Sequence, residues 1–428
     1  MTDSMAARPA ALRLAVLGIN YAPEEIGIGR YTTDLARVLA DRGHIVEVIA
    51  GKPYYPRWEV PAAYRGAGWR RSVEQGVAIT RCPHYVPAIP TGLRRVVHLA
   101  SFAVAALSPA LGLALRPRAR RPQVVLCVAP ALLSVPVAWL AARFAGARLW
   151  VHVQDFEVEA ALATGLLPAG NIAAPAAHRI ESLILALADR ISSISPQMCR
   201  RLTAKGIEPA RVTELRNWAE PASLGAETGG STYRSQWGLG QTSVALYSGN
   251  IANKQGVETI VEAARLLAGR RDITFVICGD GPNRPRLEEA AAGLDNILFQ
   301  PLQPSARLGE LLALASVHLL PQIAGAADLV LPSKLTNMLA SGRPVVATAE
   351  PGTGLHDEVT GCGICTAPGD APALAAAIVD LVDDPERCAE LGAEGRRRAN
   401  ARWSREAILD RLEHELRQLA GPATELAG

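Results

Sequence analysis

An excess of either charge is the first thing the sequence lacks: over 428 residues, 44 lysines and arginines face 41 acidic residues, leaving a formal net charge of +3. No overall field draws the chain to a polyanion, so nucleic acid is not the expected partner. Cysteines number seven, an odd count, and several lie in apolar runs, as reduced thiols do. Cys362 and Cys365 form a C-x-x-C, but no second pair or histidine cluster stands near them, so no metal site is expected. The N-terminal stretch lacks a basic leader region, and the apolar run Leu12 to Ile19 is short enough to be a first strand. The chain is expected to stay in the cytoplasm. A dinucleotide fingerprint is missing too. Gly18 has no partner at G-x-G-x-x-G spacing, and the second strand closes on Ile49-Ala50-Gly51-Lys52 without an acidic residue for a ribose. A nicotinamide dehydrogenase loses its support.

What is present is apolar mass, 49% hydrophobic against 20% charged residues, enough for two cores of about 200 residues each. After the first strand comes Asn20 to Arg30 with Gly27 and Gly29, then a helical pattern in Leu35, Val38 and Leu39, then a strand at Ile45 to Ala50. Gly27 and Gly29 permit either close approach of backbone to a ligand at a helix start or an ordinary flexible loop. Lys52 to Trp58 is a Pro-rich aromatic loop at the carboxyl end of that strand, where a ring could stack a sugar or simply pack.

The run Val96 to Leu115 contains no Asp, Glu, Lys or Arg. Arg94 and Arg95 precede it, and Arg116, Arg118, Arg120 and Arg121 follow. It is long enough to span a bilayer, yet it falls between a strand ending near Val86 and another at Val124 to Val128, where a crossover helix belongs. A single span would leave these strands of one sheet on opposite sides of the membrane. The expectation is an interfacial helix whose basic ends meet an anionic membrane surface, with a buried core helix as the alternative. Further on, His152, Asp155 and Glu157 cluster at the carboxyl end of a strand over Arg148 to Val153, which makes His152 and Asp155 candidates for a site as well as for the core.

Glycines among Ser and Thr in Pro221 to Gly240 mark a boundary. The expected domains are 1–220 and 221–403, with a last helical segment, 404–428, that can cross back to the first. In the second half, strand, loop and helix alternate again: Gly249, Asn250 and Lys254 lie in one strand-to-helix loop, and Gly279 and Gly281 in the next. Alternation in both halves predicts an α/β protein of two doubly wound, Rossmann-like domains facing a central cleft. The stretch Ala327 to Thr348 then places Pro332 before Ser333 and Lys334, runs Leu335, Met338 and Leu339 at helical spacing, and sets Gly342 where a left-handed cap is wanted. A helix start that carries Ser333 and Lys334 suits a phosphate. Two Gly loops, two lysines and this helix start predict a diphosphate site.

These loops, in this order, resemble the family 4 retaining glycosyltransferases of GT-B fold over nearly the whole chain. The segments Gly18 to Glu24, Pro53 to Pro56, Tyr247 to Ile251 and Asp328 to Asn337 are similar to the WcaI-type enzymes of colanic-acid and related exopolysaccharide assembly. The resemblance implies a GDP- or UDP-linked sugar donor held mainly by the C-terminal domain. It also implies a lipid-linked saccharide acceptor held by the N-terminal domain, metal-independent and cofactor-free chemistry, and retention at the anomeric carbon. By resemblance, Lys254 neutralises the leaving diphosphate, with Ser333, Lys334 and the amide of Leu335 assisting. Gly27 and Gly29 let backbone approach the same group, Gly279 and Gly281 shape the nucleotide pocket, and His152 or Asp155 positions the sugar.

The chain departs from the family pattern in two places. Asn250 stands where an Arg is usual, and the family's paired glutamates fall on Leu329 and Asn337. Asn337 keeps hydrogen-bonding capacity toward ribose hydroxyls, and Asp328, one position away, is the substitute carboxylate. Two other functions fit the same fold: a nucleotide-sugar epimerase acting without acceptor, and a non-catalytic nucleotide-sugar-binding scaffold.

Overall fold

The computed structural model of the protein describes residues 10–24, 27–158, 173–219, 231–251, 255–324 and 332–421. The chain divides into two compact units, Met1–Leu215 with Leu409–Gly428, and Arg216–Ile408. The division after Leu215 falls a few residues before the Gly-rich stretch, because Arg216 and Ala219 already belong with the second unit: Arg216 pairs with Glu358 at 2.8 Å, and the Ala219 N–H bonds the Trp403 carbonyl. The last helix, Arg405–Ala420, counts with the first unit from Leu409 onward.

The first unit is built on one sheet of eight strands: β1 (Arg13–Gly18), β2 (Ile45–Gly51), β3 (Arg70–Glu74), β4 (Val77–Cys82), β5 (Val124–Ala129), β6 (Arg148–Val153), β7 (Arg190–Ser193) and β8 (Val212–Glu214). Their order is β3-β4-β2-β1-β5-β6-β7-β8, parallel except for the β3–β4 hairpin. Every residue of β5 is buried, which is why Val124 to Ala129 shows no alternation of polar and apolar residues. The chain winds outward from β1 through β2 to β4, then returns and winds outward again from β5. The carboxyl ends of β1 and β5 are therefore the switch point at which such sheets hold ligands.

β4 stops at Cys82, short of the expected Val86, because Pro83, Pro87 and Pro90 remove the ladder donors that would continue it. The apolar run forms the helix Gly92–Ala114 between β4 and β5. His98, Phe102, Ala106, Ala110 and Leu113 are buried, whereas Leu93, Val104 and Leu115 are 77%, 74% and 86% exposed. The helix is thus neither wholly buried nor wholly free. By length and apolarity alone it could cross a membrane, but it links two strands of one sheet.

The second unit holds β9 (Ser243–Ser248), β10 (Ile273–Cys278), β11 (Ile297–Gln300), β12 (Val317–Leu320), β13 (Val345–Thr348) and β14 (Gly363–Thr366), ordered β11-β10-β9-β12-β13-β14. All five pairings are parallel. Here the winding reverses between β9 and β12. The helix Ser333–Ala340 begins directly after Pro332, buries Leu335, Met338 and Leu339 against Trp403 and Val345, and ends at Gly342 with φ of 73°. Both units are doubly wound α/β, the architecture that alternation predicts.

Candidate active site

In the second unit the site grows from the carboxyl ends of β9 and β10. Gly249 continues β9, and its N–H bonds the Cys278 carbonyl at 2.9 Å. Gly279 continues β10 so close by that a side chain there would overlap the Gly249 carbonyl, and one at Gly281, with φ of 156°, would overlap that of Ile251. Only glycine allows these two loops to lie against each other. The Ile251 N–H bonds Asp280 O at 2.8 Å, and the Arg284 guanidinium donates to Gly279 O at 2.6 Å and Gln300 O at 2.9 Å, so the paired loops are pinned from both sides. Asn250 is exposed, yet a Cβ built at Gly281 would stand 2.8 Å from its Oδ1, so its side chain lies against the second loop.

Lys334, in the first turn of helix Ser333–Ala340, reaches this loop pair. Its Nζ donates to the Tyr247 hydroxyl at 3.1 Å and lies 4.2 Å from the centre of that ring, and a methyl group built at Gly249 would stand 3.2 Å from it. The Tyr247 hydroxyl in turn donates to Asn250 O at 2.6 Å. Tyr247 therefore presents an oxygen and a ring face to the ammonium, but no carboxylate among the described residues is recorded as its partner. Withdrawal from water pushes the Lys334 ammonium down to about 7. A cation held at that cost beside two glycine loops can stabilise an incoming anion strongly.

Three expected contributors need separate placement. Leu335 is fully buried in the core, and its N–H already bonds Pro332 O at 3.0 Å, so it serves the helix start and not an open anion site. Asn337 is half-buried in the second turn of the same helix and interacts with other groups of the protein. Ser333 opens the helix, while its side chain, Lys254 and Asp328 lie outside what the structure describes. Tyr247 and Gln322 are the residues that sequence reasoning did not single out. Gln322 follows β12 at the winding reversal, where its backbone N–H and C=O both bond Thr348 Oγ1 at 2.8 Å and its side-chain oxygen is buried. A polar residue directly after a buried strand is the signal that could have found it.

In the first unit, Glu24 organises the carboxyl edge. It is 5% exposed, accepts the N–H groups of Tyr54 at 2.9 Å and Tyr55 at 3.0 Å, and receives Asn20 Nδ2 at 2.9 Å. Burial raises its carboxyl above the usual range. Gly27, with φ of 66°, caps the helix Ile28–Asp41, and a side chain at Gly29 would stand 2.8 Å from the Glu24 carboxylate. Tyr54 packs on His98, with ring centres 4.6 Å apart, and on Trp58 at 5.1 Å, so its ring is committed to packing while Tyr55 is exposed.

His152 does not open onto this edge. It is 4% exposed, with Nδ1 2.8 Å from Ser192 Oγ on the neighbouring strand, and burial pushes the imidazole down to about 4. It is a neutral residue of the sheet interior. Asp155 stands half-buried beyond the strand end and interacts with other groups of the protein. The carboxylate with the clearest task is Glu157, which accepts the Leu132 N–H at 2.8 Å beside Ala131, a buried residue at φ of 148°. Such backbone is costly for a residue with a Cβ and is stored at the β5 end of the switch point.

Known proteins match on both levels. Residues 27–218 match the Glycosyl transferase 4-like domain, and residues 242–384 the Glycosyl transferases group 1 domain. The putative colanic acid biosynthesis glycosyl transferase WcaI of Escherichia coli K12 is 40% identical over 378 residues, covering 86% of this chain and 91% of its own. Among solved structures, Anabaena HepE in complex with UDP superposes with a TM-score of 0.69 at 14% identity, covering 95% of this chain and 99% of its own. Sucrose-phosphate synthase from Thermosynechococcus elongatus does so at 0.72 and 20%, with the same coverage. With two doubly wound units, matching domains in both and this identity to WcaI, the chain belongs to the GT-B glycosyltransferases that join a glycosyl transferase 4-like domain to a group 1 domain.

Proposed function

We propose that the protein moves a sugar from a nucleoside-diphosphate sugar to a lipid-linked saccharide during exopolysaccharide assembly, with retention and without a metal. The observation that carries the reading is Lys334: an ammonium lowered to about 7, held by Tyr247 against the loop pair of Gly249 and Gly279. As the glycosidic bond lengthens, charge grows on the leaving diphosphate while the sugar becomes oxocarbenium-like. Lys334, with Lys254 and the hydroxyl of Ser333, stabilises that charge where it forms. Gly279 and Gly281 admit the nucleotide, Asn337 bonds its ribose, and Asp328 is the carboxylate assigned to the sugar. Asp155 and the Glu24 loop belong to the acceptor side.

The donor class is supported by the UDP in HepE, and the place in exopolysaccharide assembly by the similarity to WcaI. Within that class, GDP-fucose is the donor proposed. The helix Gly92–Ala114, apolar on its outer side and flanked by arginines, fits an enzyme resting on the cytoplasmic face of a membrane. The test is calorimetry with a panel of UDP- and GDP-sugars, followed by addition of a membrane lipid extract to the tightest binder. Transfer into the lipid fraction is the expected result. Binding without transfer would favour a scaffold, conversion without acceptor an epimerase, and absence of binding would overturn the donor site.

A further inference from the structure

A cavity of about 1240 Å³ lies in the first unit, between the carboxyl-terminal half of helix Gly92–Ala114 and the sheet edge formed by β2, β4 and β3. Ile49, Ala78, Val73, Leu111, Gly112 and Leu115 are among its lining residues. Val73 and Leu115 are 75% and 86% exposed, so this apolar lining stands open to solvent. An open groove with such walls can admit an apolar ligand.

The cavity is continuous with the rest of the helix. Leu93, Val97, Val104, Leu107, Leu111 and Leu115 recur every three to seven residues along its outer side, and all but the half-buried Leu111 are exposed. The helix starts after the carboxyl end of β4, on the edge where α/β sheets hold their ligands, and runs back toward the amino-terminal edge. Sixteen residues, roughly 24 Å of helix, separate Gly92 from Ser108 at the cavity wall. An apolar track thus leads from the ligand edge into the cavity, with exposed Arg94 and Arg95 at its beginning and Arg118 and Arg120 beyond its end. Phosphates at the head of a lipid carrier match the first pair.

We propose that this groove holds the hydrocarbon tail of the lipid-linked acceptor, whose phosphates sit at Arg94 and Arg95 and whose saccharide sits at the carboxyl edge of the sheet. The inference rests on the lipid-linked acceptor reading above. A tail of isoprenoid length spans the track, and a short-chain or water-soluble acceptor leaves it empty. The lining also carries polar groups: Glu47 is paired with Arg116, while Arg71, Ser72, Thr80 and Ser108 complete it.

Gly112 provides the test. A Cβ built there meets nothing within 4 Å, and replacing glycine within a helix raises helix propensity, so Gly112→Trp is chosen to fill the groove, with circular dichroism checking that the fold is kept. The probe is parinaric acid, a fluorescent fatty acid. The wild-type chain should bind it saturably at one site, and Gly112→Trp should weaken binding about tenfold or more through lost methylene contacts. Equal binding by both proteins, or none by either, overturns the groove. A second arm compares transfer to undecaprenyl-diphosphate-linked saccharides from bacterial membranes with transfer to the same saccharides freed of lipid. A rise in KM for Gly112→Trp confined to the lipid-linked acceptor supports the groove. An unchanged KM overturns it while leaving the transferase reading intact. Failure of the wild-type enzyme to use the lipid-linked acceptor overturns both.

Discussion

Lys334 shows how a residue's chemistry is set by its surroundings. Its ordinary position would be in solvent on the first turn of a helix, yet its Nζ is held at the Tyr247 hydroxyl and its charge is weakened by lost water. In the proposed site it is the protonated form that would bind a diphosphate, and with the ammonium lowered to about 7 that form is lost as pH rises through neutrality. Donor affinity should therefore be constant below about pH 6, weaken up to about tenfold per pH unit above 7, and lose this dependence in Lys334→Met. Calorimetry across pH checks it; a flat wild-type profile would contradict the placement. Glu24 is the counterpart in the first unit. Glu24→Ala would leave the amides of Tyr54 and Tyr55 without their acceptor and the Asn20 side chain with only its longer bond to the Tyr54 hydroxyl, an expected loss of about 2 to 4 kcal/mol in urea denaturation. The place of Lys334 in the first turn of a helix was legible in the sequence because Pro332 and Gly342 bracket that helix. The role of Glu24 was not, since its partners stand 30 and 31 positions away. His152 misled for a related reason: a histidine at a strand end reads alike whether it faces a ligand or, as here, a serine on the next strand.

At the scale of elements, helix Gly92–Ala114 carries a proline in its interior. Pro109 has no N–H to give to the carbonyl of Ala105, four residues earlier. Trp69, just before β3, fills the gap: its indole Nε1 donates to Ala105 O at 2.8 Å. The hairpin and the helix are thereby joined beside the groove. Trp69→Phe keeps most of the ring and removes that donor, so a loss of about 1 to 2 kcal/mol is expected by chemical denaturation. Unchanged stability would mean that water replaces the indole. The helix itself was predictable from twenty residues without a charge, but the hairpin was not, because β3 reads Arg70-Arg71-Ser72-Val73-Glu74 and has little apolar pattern to find. Pairing with β4 and the bond from Trp69 define it, and both are tertiary.

For the whole molecule, the alternation of strands and helices was enough to predict two doubly wound sheets. The order of the strands, and so the switch points beside Gly249 and Ala131, required the structure. At the chain's end the sequence raised a return of the last helix to the first domain but named no partners for it. From Leu409 the last helix counts with the first unit, where Glu413 pairs with Arg42 at 2.9 Å and His44 at 3.1 Å, and Glu415 accepts from Thr213 at 2.9 Å. A chain ending at Ile408 should show a lower thermal transition for the first unit in differential scanning calorimetry, with the second unit's transition retained. Coincident, unshifted transitions would contradict that assignment.

The central claim, transfer of a sugar from a nucleotide donor with Lys334 stabilising the leaving diphosphate, is tested most directly by following the tightest-binding nucleotide sugar by NMR with a membrane lipid extract present. The wild-type protein should release free nucleoside diphosphate and place the sugar in the lipid fraction. Lys334→Ala, folded as judged by circular dichroism, should turn over about a hundredfold more slowly, a loss of about 3 kcal/mol from the barrier. A donor that stays intact with the wild-type protein, or a Lys334→Ala rate equal to wild type, would contradict the account.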